Sequence, residues 1–138
     1  MVRDFNIGTP PNRAGLTDFK TEAIGATAVN GITWKDLLDK STLTRDIIIR
    51  AFTATVAGTW VGKAKIRIVD GLGTTKVYPH GDEYVQDTDF VSATEKVLER
   101  EVFIPKLTGY KVQFRSSDAG DGADDTVALN SLKVIEVE

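Results

Sequence analysis

Asp46-Ile47-Ile48-Ile49-Arg50-Ala51-Phe52-Thr53-Ala54-Thr55-Val56-Ala57 decides the fold class. A run this rich in β-branched and aromatic side chains, with no Gly or Pro inside it, reads as a strand. Its parity is mixed. Ile48, Phe52, Ala54 and Val56 share one face with Arg50, while Ile47, Ile49 and Ala51 share the other. Both sides are therefore expected to meet packing partners near the start of the strand.

Working outward, Gly58 and Gly62 bracket a loop that displays Trp60, and Lys63–Val69 then alternates cleanly. Ala64, Ile66 and Ile68 point inward; Lys63, Lys65 and Arg67 point to solvent. Gly109–Ser116 repeats the pattern, with Tyr110, Val112 and Phe114 opposite Lys111, Gln113 and Arg115. Val97–Ile104 is read as a strand on the shared parity of Leu98, Val102 and Ile104, although Ser92 and Glu95 resemble a helix capping box. Shorter strands are expected at Thr75–Tyr78 and within Glu83–Val91, and one or two more in Thr126–Glu138. Glu22–Val29 is a small-residue strand closed by the turn pair Asn30-Gly31. Thr33-Trp34-Lys35-Asp36-Leu37-Leu38 offers an N-cap and apolar residues at i, i+3 and i+4, so a short helix is expected there.

About eight strands at roughly 8–12-residue spacing, joined by Gly, Asp and Pro turns, predict an all-β chain. The architecture that fits is an antiparallel β-sandwich of jelly-roll type with one short helix. At 138 residues the chain is the length of one domain. Gly8-Thr9-Pro10-Pro11-Asn12-Arg13-Ala14-Gly15 sustains neither helix nor central strand, so residues 1–20 are read as an extended N-terminal arm and residues 21–138 as the domain.

Composition excludes several function classes. The chain has no cysteine, which removes disulfide frameworks, thiol nucleophiles and thiolate zinc sites. A net charge of −3 gives no whole-molecule attraction to nucleic acid or an anionic membrane. No apolar run has signal-peptide or membrane-spanning length, so a product made in the cytoplasm and not secreted by a signal peptide is expected. Charge is unevenly placed, with seven Lys/Arg against three acids in residues 35–67 and six acids against one Lys in residues 118–138.

Chemical motifs are sparse. Gly58-Thr59-Trp60-Val61-Gly62-Lys63-Ala64 imitates a phosphate loop, but its glycine spacing is short, Ala64 replaces the metal-binding hydroxyl and a strand follows. His80 is the only histidine and lies in a turn without a nucleophile elbow, so no enzyme is expected; dispersed carboxylates such as Glu99 and Glu101 lack an environment that raises a pKa. Asp118, Asp121, Asp124 and Asp125 supply hard oxygen ligands suited to calcium, although their spacing is not that of the twelve-residue calcium loop. The alternative is a hairpin loop that uses Asp and Gly for backbone reasons, and no other cofactor is suggested. Trp34, Trp60, Tyr78 and Tyr84 are candidates for a sugar-stacking face, with Trp60, Tyr78 and Tyr84 the assigned ligand-binding residues.

Two resemblances follow from these residues. The stretch from Gly109-Tyr110-Lys111-Val112-Gln113-Phe114-Arg115 to Val127-Ala128-Leu129-Asn130-Ser131-Leu132-Lys133-Val134 resembles the closing strands of jelly-roll carbohydrate-binding modules, which implies a glycan ligand and a calcium site near the terminal strands. The chain as a whole resembles the head-decoration (cement) proteins of tailed bacteriophages: a Pro/Gly arm, one cysteine-free β-domain and no catalytic constellation. That resemblance implies a non-enzymatic virion protein that binds and stabilises neighbouring capsid subunits, as a homo-oligomer such as a trimer. Phe5, Ile7, Pro10 and Pro11 of the arm, with Lys63, Lys65 and Arg67 of the domain, are then the expected protein contacts.

Overall fold

The computed structural model describes residues 16–73, 76–78 and 83–137. Nine strands occupy these residues: β1 (Leu16–Ala28), β2 (Lys35–Lys40), β3 (Asp46–Ala57), β4 (Ala64–Asp70), β5 (Val77–Tyr78), β6 (Tyr84–Val85), β7 (Lys96–Ile104), β8 (Tyr110–Ser116) and β9 (Thr126–Val137). Two antiparallel sheets result, one ordered β1-β9-β3-β7 and the other β2-β8-β4-β5, with β6 also on β4. β5 pairs with Ile68 and Val69 of β4, and β6 with Lys65 and Ile66, so the two act as one interrupted edge strand. Counted that way each sheet has four strands and the early chain crosses between sheets at every step, which is the jelly-roll sandwich. Strand β1 begins at Leu16, inside the stretch assigned to the arm; residues 1–15, with Phe5, Ile7, Pro10 and Pro11, lie outside the described residues.

The expected helix at Thr33–Leu38 is replaced by strand β2, and among the described residues there is no helix. The reason is a β-bulge. Asp36 pairs with Gln113 and Leu38 with Val112, so two steps on β2 oppose one on β8. The extra residue turns Leu37 and Leu38 both inward, where both are buried. A bulge thus imitates the i, i+3, i+4 apolar spacing of a helix.

A second bulge resolves the mixed parity of β3. Ile49 pairs with Val134 and Ala51 with Lys133, leaving Arg50 as the extra residue. Ile47 and Ile49 before it, and Phe52 and Ala54 after it, all join the core, while Ile48 and Ala51 turn to the outer face. The core is one cluster drawn from both sheets, with Phe52 edge-on to Tyr84 and Phe90 at ring-centre distances of 5.4 and 5.5 Å.

Candidate functional site

Strict alternation in β4 and β8 sends Arg67, Lys65, Lys111, Gln113 and Arg115 to the outer face of the β2-β8-β4 sheet. Trp34, immediately before β2, lies over the same face. The Arg67 guanidinium is 4.1 Å from the centre of the Trp34 ring and that of Arg115 is 5.0 Å from it. Arg67 Nε donates to Gln113 Oε1 (2.9 Å), and Gln113 Nε2 donates to Asp36 Oδ1 (2.9 Å). Asp36 in turn lies 3.5 Å from Lys111. Glu83 stands 3.6 Å from Lys65 and 3.8 Å from Arg115. Burial is the largest influence on Arg67 and lowers its pKa; Glu83 opposes the shift and the Arg115 charge adds to it. Lys63 lies just outside the strand and is bound to Asp87 at 2.8 Å.

The acidic loop between β8 and β9 serves the backbone. Asp121 is buried and accepts from the N–H groups of Val61 (2.8 Å) and Gly62 (2.9 Å) and from the Ser116 hydroxyl (2.5 Å). These hydrogen bonds, with that of Ser116 the largest cause, hold its pKa below the usual carboxylate range. Asp118 accepts from Gly120 N–H (2.7 Å), and Asp125, also buried, accepts from Gly122 N–H (3.0 Å). Gly58, at φ 111°, passes so close beneath the loop that a Cβ would lie 2.3 Å from the Asp124 carbonyl oxygen. Among the described residues no three His, Cys, Asp or Glu side chains gather as a metal site would require. Both oxygens of Asp121 accept these donors, which pin the β3–β4 loop to the β8–β9 loop.

The three rings assigned to ligand binding pack in or against the core. Tyr84 is a core residue, Trp60 packs on the core and donates through Nε1 to Ala57 O (2.8 Å), and Tyr78 is half-buried beside Lys76. The aromatic side chain at the charged surface is Trp34. His80 lies outside the described residues. Glu99 is paired with Lys96 (2.7 Å), whose hydrogen bond is the first cause of a lowered pKa, opposite to the shift a general acid needs; Glu101 is paired with Arg50. At the end of the sandwich where β1 enters, a cleft of about 520 Å³ opens among Thr44, Arg45, Asp46, Lys106 and Val137. The adjoining 210 Å³ cleft between β1 and β2 is lined by ion pairs, Glu22 with Lys40 and Lys20 with Glu136.

The outer face of the other sheet is apolar at one level. Phe103 pairs with Ile48, and Ile48 with Ile135, giving a cross-strand row, and Val97 lies opposite Ala51 nearby. Phe103 is 52% and Val97 63% exposed, whereas Ile135, outside the core cluster, is only 8% exposed. Ion pairs flank this strip: Arg50 with Glu101, and Lys133 with Glu95.

No family model and no curated protein matches the chain. Among solved structures it is similar to the VP2 subviral particle of infectious bursal disease virus, with a TM-score of 0.49 at 13% identity over 98% of this chain and 37% of that one. The T=1 particles derived from the same virus give 0.49 at 13% identity, over 98% and 36%. The structure of the Gx strain of that virus gives 0.46 at 15%, over 97% and 36%. The chain spans little more than a third of the length of each of these.

Proposed function

We propose that this protein is a non-enzymatic structural component of a virion, of the kind that decorates a bacteriophage capsid by binding neighbouring subunits and stabilising the shell. The observation that carries the reading is the outer face of the β1-β9-β3-β7 sheet. Ile48, Val97 and Phe103 form an apolar strip on that face, flanked by ion pairs. An apolar centre with a polar rim is the anatomy of a subunit interface, and exposed strips of this kind on soluble domains mark contact sites. The arm residues Phe5, Ile7, Pro10 and Pro11 add a second contact in this reading. Many weak contacts repeated over a shell then combine through avidity.

The test is a pair of variants, Val97→Asp with Phe103→Asp, and a chain lacking residues 1–15. Each is measured for self-association by light scattering, for retention on purified capsids by sedimentation, and for thermal melting. Both changes are expected to abolish capsid retention, and the double substitution to leave the melt nearly unchanged, because Val97 and Phe103 are exposed and outside the core cluster. Full retention by both variants, or no capsid binding by the unaltered protein, overturns the reading.

A further inference from the structure

We propose that Arg67, Arg115 and Trp34 form a receptor site for a protein carboxylate, an exposed Asp or Glu side chain of a partner subunit. The proposal rests on the partner-binding reading of strand β4 and narrows it to one cluster. Of the three basic residues expected to meet a partner, Lys63 and Lys65 are already paired with Asp87 and Glu83. Arg67 differs. Its Nε is committed to Gln113, but its two terminal amino groups hydrogen-bond to no other described residue. Arg115 next to it has a buried Nε with no hydrogen-bond partner, a 3.5 Å contact from Nη1 to the Ser116 carbonyl, and Glu83 at 3.8 Å.

Two guanidinium groups beside one indole therefore keep several N–H donors unused. Like charges crowded on a strand face are unfavourable unless an anion lies between or over them. The ligand chemistry follows from the donor set. A planar guanidinium fork matches a carboxylate with two parallel hydrogen bonds, and both guanidinium groups lie within 5.0 Å of the Trp34 ring centre. The nearby acids Glu83 and Asp36 temper the positive field, and the chain is net negative, so a single carboxylate suits the site better than a polyphosphate backbone.

Trp34 makes the site self-reporting. In the full chain carrying Trp60→Phe, Trp34 is the sole indole, and its emission is followed while capped hexaglutamate, capped hexaglutamine or inorganic phosphate is titrated at matched ionic strength. The expected result is a saturable change with hexaglutamate and none with hexaglutamine. Arg67→Lys and Arg115→Lys, which keep the charge and lose the fork, should each weaken binding about tenfold. In the unsubstituted protein the Trp34 indole N–H resonance should shift under the same titration while that of Trp60 stays fixed, which keeps the test intact if Trp60→Phe destabilises the fold. Lysine variants that bind hexaglutamate as tightly as the parent overturn the proposal, and so does phosphate that saturates the site as tightly as the peptide. Capsid retention separates this site from the broader reading. Peptide binding without capsid binding removes the virion function and leaves the site; capsid binding undiminished in the lysine variants removes the site's role there and leaves the function.

Discussion

Asp121 ties two parts of the sandwich together: Val61 and Gly62 of the β3–β4 loop and Ser116 at the end of β8 all donate to it. Its pKa is held below the ordinary carboxyl value, which is about 3.9 in an unfolded chain. A group whose folded pKa is depressed contributes its full stabilisation above the unfolded value and loses it as pH falls through the folded one. The melting temperature should therefore be flat near neutrality and fall as the solution is acidified below the ordinary carboxyl range. Asp121→Asn, which cannot serve all three donors as an anion does, should lower the melt at neutral pH and flatten that acid-side fall. Calorimetry of the two proteins across the acid range checks both parts; an identical acid-side slope in the variant would show that other carboxylates control it. In the sequence Asp121 is one acid among four in a Gly-rich loop. What composition does not carry is which carboxylate turns inward, since its donors at Val61 and Gly62 lie 60 and 59 residues earlier in the chain.

At the scale of elements, the bulge in β2 makes a sharp prediction. In a regular strand one of two consecutive leucines faces solvent, and its truncation is nearly harmless. Here Leu37 and Leu38 are both buried, so Leu37→Ala and Leu38→Ala should each cost about 2–5 kcal/mol. Chemical denaturation of the two variants measures this, and a near-neutral result for either would mean that β2 is regularly pleated. The same element shows where reading a sequence succeeds and where it fails. β8 alternates throughout and β4 as far as Ile68, beyond which Val69 and Asp70 are both buried, so their inward faces and the outward row Lys65, Arg67, Lys111, Gln113 and Arg115 are legible. β2 and β3 each contain an extra residue, and period counting then reports a helix in one case and a conflicted strand in the other. Trp60 between glycines looks exposed in one dimension, but it folds back onto the core, while Trp34 meets arginines more than thirty and eighty residues away along the chain.

For the whole molecule, the two outer sheet faces have opposite characters: one charged and centred on Trp34, the other apolar along Ile48, Phe103 and Ile135. A subunit with two unlike faces can pair head-to-tail as readily as face to face, so association measurements should separate the two sets of variants and not merely score binding as present or lost. The sheet order has a consequence of another kind. β9 lies between β1 and β3, and without it the first strand has no partner in its sheet. While a ribosome is still adding residues 126–137, β1 cannot join the β3-β7 pair, and the apolar faces of that incomplete sheet remain open to chaperones or to other nascent chains. Folding of this domain should therefore wait for β9 to emerge. A chain stalled at residue 125 should be captured by chaperones and digested by protease, whereas one extended past residue 137 by a flexible spacer should resist both.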